Sequence, residues 1–209
     1  MRRTFVYSLQ ELILDDCWIP SWGLLPLLMS LADNGSYRIS KLNLSNNNLG
    51  DSVAAGRALR GFVGSSEALT SVVLKGCNLG TITEGGYECD YTVTGLLEGV
   101  GDWNEKVKES LDEERRVRGT VEVKRCDFED IVLEGNTGIG DAAMEGVGKM
   151  VERMGGVGRE VGWGKVVRVG FLNLGGCSVG SRGCGVVAEG LLRLTAEGGG
   201  YGKKVGWLG

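Results

Sequence analysis

A chain of 209 residues, 42% hydrophobic and 24% charged, has the composition of a folded domain or a short repeat array, not of a disordered chain. Its formal charge of −4 and pI near 5.1 exclude a general affinity for nucleic acid or for an anionic membrane surface. Histidine is absent, which removes the commonest general base, the commonest metal ligand and every Ser–His or Cys–His nucleophile pair.

The basic start, Met1-Arg2-Arg3-Thr4-Phe5-Val6-Tyr7, lacks a continuous apolar run and a small-residue cleavage site, so it does not read as a secretory signal. The first patterned segment is Leu9-Gln10-Glu11-Leu12-Ile13-Leu14-Asp15-Asp16-Cys17, with apolar slots one, four and six and Cys in slot nine. The longest apolar stretch follows, Trp22–Leu31, too short to span a bilayer and interrupted by Pro26. Thirty residues after Leu9 the pattern returns at Ile39, Leu42, Leu44, Asn47, Leu49 and Gly50. Asp51 is expected to cap a helix over Val53–Val63, with Leu59, Phe62 and Val63 on its inner face. Leu69, Val72, Leu74, Cys77, Leu79 and Gly80 repeat the slots a third time. An insertion of about 81–127 then separates the third copy from the fourth. It holds Thr81–Asp90, a candidate helix Val93–Val100, and the charged run Asp102–Arg118, read as a solvated helix or a flexible loop.

Phe128, Ile131, Leu133, Asn136, Ile139 and Gly140 make the fourth copy, and Val169, Leu172, Leu174, Cys177, Val179 and Gly180 the fifth. Asp141 opens a helix Ala142–Met154 with Met144, Val147, Met150, Val151 and Met154 at helical spacing, read as core. Ser181 opens Arg182–Leu194, with Cys184, Val187, Ala188 and Leu191 on the same kind of stripe. Val205 and Leu208 look like the opening of a sixth, partial unit at 205–209. Five copies of a six-position pattern are a strong signal; one copy would mean little.

Each slot has a physical reason. Slots one, four and six alternate with polar residues, giving a short strand with its apolar side chains inward. Slot nine sits where the chain turns, and a buried Asn there satisfies backbone groups the neighbouring strand does not reach, while Cys fills the same small space. The slot-nine series Cys17, Asn47, Cys77, Asn136, Cys177 alternates. The 59-residue interval between the third and fourth copies passes from Cys to Asn without skipping, so it reads as an insertion and not a hidden repeat.

The pattern resembles leucine-rich repeats, and the Cys/Asn alternation resembles their ribonuclease-inhibitor-like subfamily. The resemblance implies an α/β fold: a leucine-rich-repeat right-handed solenoid (horseshoe) with a parallel concave sheet and helices on the convex side. The whole chain, 1–209, is expected to be one such domain, with repeat strands near 9–17, 39–47, 69–77, 128–136 and 169–177. Its outward slots three, five and seven are the expected partner-binding face. They are Glu11, Ile13 and Asp15; Lys41, Asn43 and Ser45; Ser71, Val73 and Lys75; Asp130, Val132 and Glu134; and Phe171, Asn173 and Gly175.

Other chemistry finds little support. Gly138-Ile139-Gly140-Asp141-Ala142-Ala143 fits a dinucleotide-binding fingerprint, but the same slots elsewhere read Leu49-Gly50-Asp51 and Val179-Gly180-Ser181, so it is the repeat's own turn. Gly198–Lys204 fails as a phosphate loop for want of the first Gly and the Ser/Thr after Lys. The six cysteines form no CxxC pair; those in slot nine and Cys184 are expected as buried, reduced thiols, and Cys89 and Cys126 as the one pair able to meet. Asp15/Asp16 and Glu129/Asp130 have no partner base and read as solvated surface.

The expectation is therefore a non-catalytic protein-protein interaction module, scaffold or adaptor, or a structural subunit of a larger assembly, with no cofactor and no bound metal. Its partners are proteins, not nucleic acid, and it does not insert in a membrane. Its compartment is intracellular and cytoplasmic. Alternatives are a regulator of an enzyme, of the inhibitor or small-GTPase-activator type, and a sensor module of a larger receptor; no acidic tail of the activator type is present. An array that begins at Leu9 and stops inside a strand leaves core exposed, so its ends are expected to pack against neighbouring chains or further repeats. The 37 glycines, dense after Gly135, are expected to weaken the C-terminal half, at about 0.5–1 kcal/mol for each one inside a helix.

Overall fold

The computed structural model describes residues 9–33, 38–50, 52–66, 68–82, 88–118, 127–160 and 168–197. Each repeat pattern produces a short strand: β1 (Glu11–Ile13), β2 (Lys41–Asn43), β3 (Ser71–Val73), β6 (Asp127–Val132) and β7 (Arg168–Asn173). These form one five-stranded parallel sheet in the order β1-β2-β3-β6-β7. Slot four stays aligned across all five strands as Leu12, Leu42, Val72, Ile131 and Leu172. The fold is α/β.

Helices α1 (Ser21–Asp33), α2 (Val53–Ser65), α3 (Tyr91–Arg118), α4 (Asp141–Glu160) and α5 (Ser181–Glu197) connect the strands and pack side by side in chain order. The core lies between sheet and helices. In the three inner units the apolar slots are fully covered, as at Ile39, Leu42, Leu44, Leu69, Leu74, Phe128, Ile131 and Leu133. In the outer units the equivalents Leu12, Leu14, Leu172 and Leu174 are half-buried, because each outer unit has a described neighbour on one side only.

The interval between the third and fourth strands is one enlarged unit. β3 pairs directly with β6, Val72 opposite Ile131, and α3 packs between α2 and α4. The extra residues form a small antiparallel pair, β4 (Thr81–Ile82) with β5 (Glu88–Cys89), and lengthen α3 to 28 residues. The helix expected over Val93–Val100 thus runs on through the charged segment to Arg118, and β6 begins at Asp127, inside the expected insertion.

At the local level some expectations hold and others are corrected. The apolar stretch after the first strand is a helix, α1, that buries Leu24 and Leu28 one turn apart and carries Pro26 inside it. The cap of α2 is Ser52, whose Oγ accepts the Ala55 N–H at 3.0 Å; Asp51 lies outside the described residues. Asp141 is the first residue of α4, and its carboxylate accepts the Gly180 N–H of the next unit at 2.6 Å. Among the described side chains the inner stripe of α5 is Gly183, Val187 and Gly190, with Cys184 and Ala188 exposed; the Leu191 side chain lies outside the described ones. Met144, Val147 and Met150 are buried as expected. Val205, Leu208 and Cys126 lie outside the described residues.

Candidate functional site: the open face of the sheet

Slot nine sets the spacing of everything on the sheet. Asn47 Oδ1 accepts the N–H groups of Cys17 (3.1 Å) and Ile19 (2.8 Å), and its Nδ2 donates to the carbonyls of Leu14, Leu44 and Ser45. Asn136 repeats this one enlarged unit after Cys77: Oδ1 accepts from Cys77 and Leu79, and Nδ2 donates to Leu74 and Leu133. The alternation has a direction. An Asn unit reaches back to the backbone of the Cys unit before it, and a Cys thiol reaches back with one donor, Cys77 to the Leu44 carbonyl and Cys177 to that of Leu133. Cys17, with no described unit before it, donates to its own turn at Asp15 and is exposed, against the expectation of a buried thiol.

Slot eight was not singled out by the sequence reading, and it is where the chain turns. Asp16, Asn46, Gly76, Gly135 and Gly176 all adopt positive φ, between 52° and 74°. Asp, Asn and Gly are the residue types that tolerate this conformation, so the signal was present in the letters. The turn read as a dinucleotide fingerprint is structural: a Cβ on Gly138 would collide with the Gly80 carbonyl of the preceding unit.

The side of the sheet away from the helices carries the expected partner-binding residues in three in-register columns. Slot three aligns Glu11, Lys41, Ser71, Asp130 and Phe171; slot five aligns Ile13, Asn43, Val73, Val132 and Asn173. Ile13 and Phe171 are exposed, and Val73 and Val132 half-buried. Slot seven carries Asp15, Ser45, Lys75, Glu134 and Gly175. Two of the expected surface residues are not surface: Ser45 and Ser71 are 4% and 5% exposed, since a small side chain between longer neighbours is covered by them. Ser45 donates to Asn43 Oδ1 at 2.6 Å, whereas Ser71 Oγ has no hydrogen-bond partner among the described residues. Lys75 Nζ lies 2.8 Å from Glu134 Oε1, and this hydrogen bond holds the Glu134 carboxyl below the usual carboxylate range. Glu134 also accepts from Asn173 Nδ2 at 3.1 Å.

No described side chain is placed to take a proton from Ser71, and among the described residues no group of three or more Cys, Asp or Glu is arranged to hold a metal ion. What the face offers is a middle column of apolar and amide side chains between largely charged flanks. On the helix side, an open groove of about 500 Å³ between α2 and α3 is lined by Arg57, Arg60, Asp102, Glu105, Lys106 and Glu109 among others. Its central cation is already engaged: Arg60 Nε meets Asp102 at 2.7 Å and Nη1 meets Glu98 at 2.5 Å. No helix among the described residues is long and apolar enough to cross a membrane.

No protein-family model matches the chain, and comparison with curated proteins gives no match.

Proposed function

We propose that the chain is a leucine-rich-repeat protein, a right-handed solenoid whose concave side is the open face of the sheet, and that this face binds another protein. It acts as a non-catalytic module, a scaffold or adaptor, without a cofactor of its own. The observation that carries the reading is the open face itself. Five strands in strict register present Ile13, Val73 and Val132 between flanking charges, and no described helix covers them. An apolar centre with a charged rim is the composition of a protein interface. The acidic balance and the carboxylates Glu11, Asp15, Asp130 and Glu134 on this face count against a polyanionic partner.

The test is affinity purification with mass spectrometry, comparing the wild type with a variant reversing Lys41, Lys75, Asp130 and Glu134. A specific set of proteins recovered by the wild type and lost by the folded variant supports the reading. Equal recovery by both overturns it and moves binding to the helix side or the ends.

A second mode of contact is favoured by the first unit, where Trp18 (88%), Trp22 (77%), Met29 and Leu9 are exposed beside β1. End-on packing against a neighbouring chain would cover them. Sedimentation of the purified chain checks this: a monodisperse monomer that unfolds cooperatively argues against it.

A further inference from the structure

The three columns of the open face differ in what they have left to offer a partner. In slot seven, Asp15 accepts from Asn46 Nδ2 at 2.9 Å, Ser45 donates to Asn43, and Lys75 pairs with Glu134. In slot five, the two amides hold the chain's own turns: Asn43 Oδ1 accepts the Ser45 N–H at 3.0 Å and Asn173 Oδ1 the Gly175 N–H at 2.9 Å. Slot three is different. Glu11, Lys41 and Asp130 make no ion pair among the described residues, although they lie on neighbouring strands. Between Lys41 and Asp130 sits Ser71, a small residue whose side chain is 5% exposed and whose hydroxyl is covered. The column ends on Phe171, 47% exposed.

Resting on the concave-face reading above, we infer that the slot-three column is the part of the face that selects the partner. Its ligand is a helical segment of another protein whose facing side chains run basic, acidic, small, basic and apolar. The charge order follows from Glu11, Lys41, Asp130 and Phe171, each meeting its complement, and a small residue suffices over Ser71, whose hydroxyl is covered. The helical form follows from spacing. Adjacent strands lie about 4.8 Å apart, and successive turns of a helix about 5.4 Å apart. A helix crossing five strands therefore stays within about 2.4 Å of register. Alternate residues of an extended chain repeat at about 6.7 Å and drift by more than a strand spacing over the same distance. A polyanion fits poorly, since it meets two carboxylates for one ammonium.

The experiment uses the full chain and two fluorescent, alanine-rich helical peptides. One carries Lys, Glu, Ser, Lys and Leu on successive turns of one face; in the other, Lys and Glu are exchanged. Anisotropy titrations should show the first binding about tenfold more tightly than the second. Lys41→Glu with Asp130→Lys should reverse that preference, and Lys75→Glu with Glu134→Lys, on the same face but already paired with each other, should move it by less. Thermal melts check that each variant is folded, and Lys41→Gln with Asp130→Asn, which changes charge but hardly size, should abolish the preference if the reversal does not fold. No binding, or no preference in the wild type, overturns the inference. A preference that follows Lys75 and Glu134 overturns the choice of column and leaves the concave-face reading standing. A preference that neither pair moves counts against both.

Discussion

Asn47 and Asn136 join adjacent units through their side-chain amides, and replacing either exposes how much of the array depends on one residue. Asn136→Ala leaves the N–H groups of Cys77 and Leu79 and the carbonyls of Leu74 and Leu133 buried without this partner. Each such group costs about 1–3 kcal/mol, so even with relaxation the loss should exceed about 3 kcal/mol in urea unfolding. Cys77→Ala, which removes one weak donor and little volume, should cost less than about 2 kcal/mol. Equal losses would mean that the amide is not what ties the units together. The cysteines themselves should separate by reactivity. Cys17 and Cys184 are exposed and should alkylate in the native state, whereas Cys77 should alkylate only on unfolding, as site-resolved mass spectrometry will show. Burial pushes the Cys77 thiol from 9.0 up to about 11. The folded chain then holds this proton more tightly than the unfolded one. The associated stability is full below pH 9 and falls as pH rises toward 11. That alkaline loss should be smaller in Cys77→Ala.

The helices explain part of the glycine content that the sequence alone presents as a liability. α2 and α3 approach so closely that a Cβ on Gly95 would collide with the Gly56 carbonyl, and one on Gly56 with the Tyr91 carbonyl. Gly64 faces Asp102, and Gly99 faces Arg60, whose guanidinium then reaches Glu98 and Asp102 across the same interface. Between α4 and α5 the fit is looser, and a Cβ on Gly190 would make only ordinary contact with the Gly148 backbone, at 3.4 Å. Gly61 and Gly185 are helical and a Cβ there meets nothing within 4 Å. The two classes should respond in opposite directions. Gly95→Ala should destabilise by at least about 1–3 kcal/mol through overpacking, and Gly61→Ala should stabilise by about 0.5–1 kcal/mol. Thermal unfolding of the two variants decides it. Loss of stability in both would leave the close approach of α2 and α3 without support.

At the scale of the whole molecule, the spacing of Leu, Asn and Cys carried the sheet. The register Leu12–Leu42–Val72–Ile131–Leu172 and the in-line passage from β3 to β6 were both readable from the repeat slots, including the single enlarged unit. The first helix was less readable, because Pro26 and the near-continuous leucines hide a helical stripe that only Leu24 and Leu28 fill completely. The candidate site was legible as a set of outward positions and no further. Whether Lys75 finds Glu134, or Lys41 finds no counter-charge among the described residues, depends on side-chain reach across strands that are far apart in sequence.

The most direct measurement is side-chain footprinting of the chain alone and in complex with its captured partner, with carboxyl and amine labelling read residue by residue. Protection at Glu11, Lys41 and Asp130, with unchanged labelling of Lys106 and Glu109 beside the helix groove, is the result expected of a partner seated on the open face. Protection confined to the helix side, with Lys41 and Asp130 labelled as in the free chain, would contradict it.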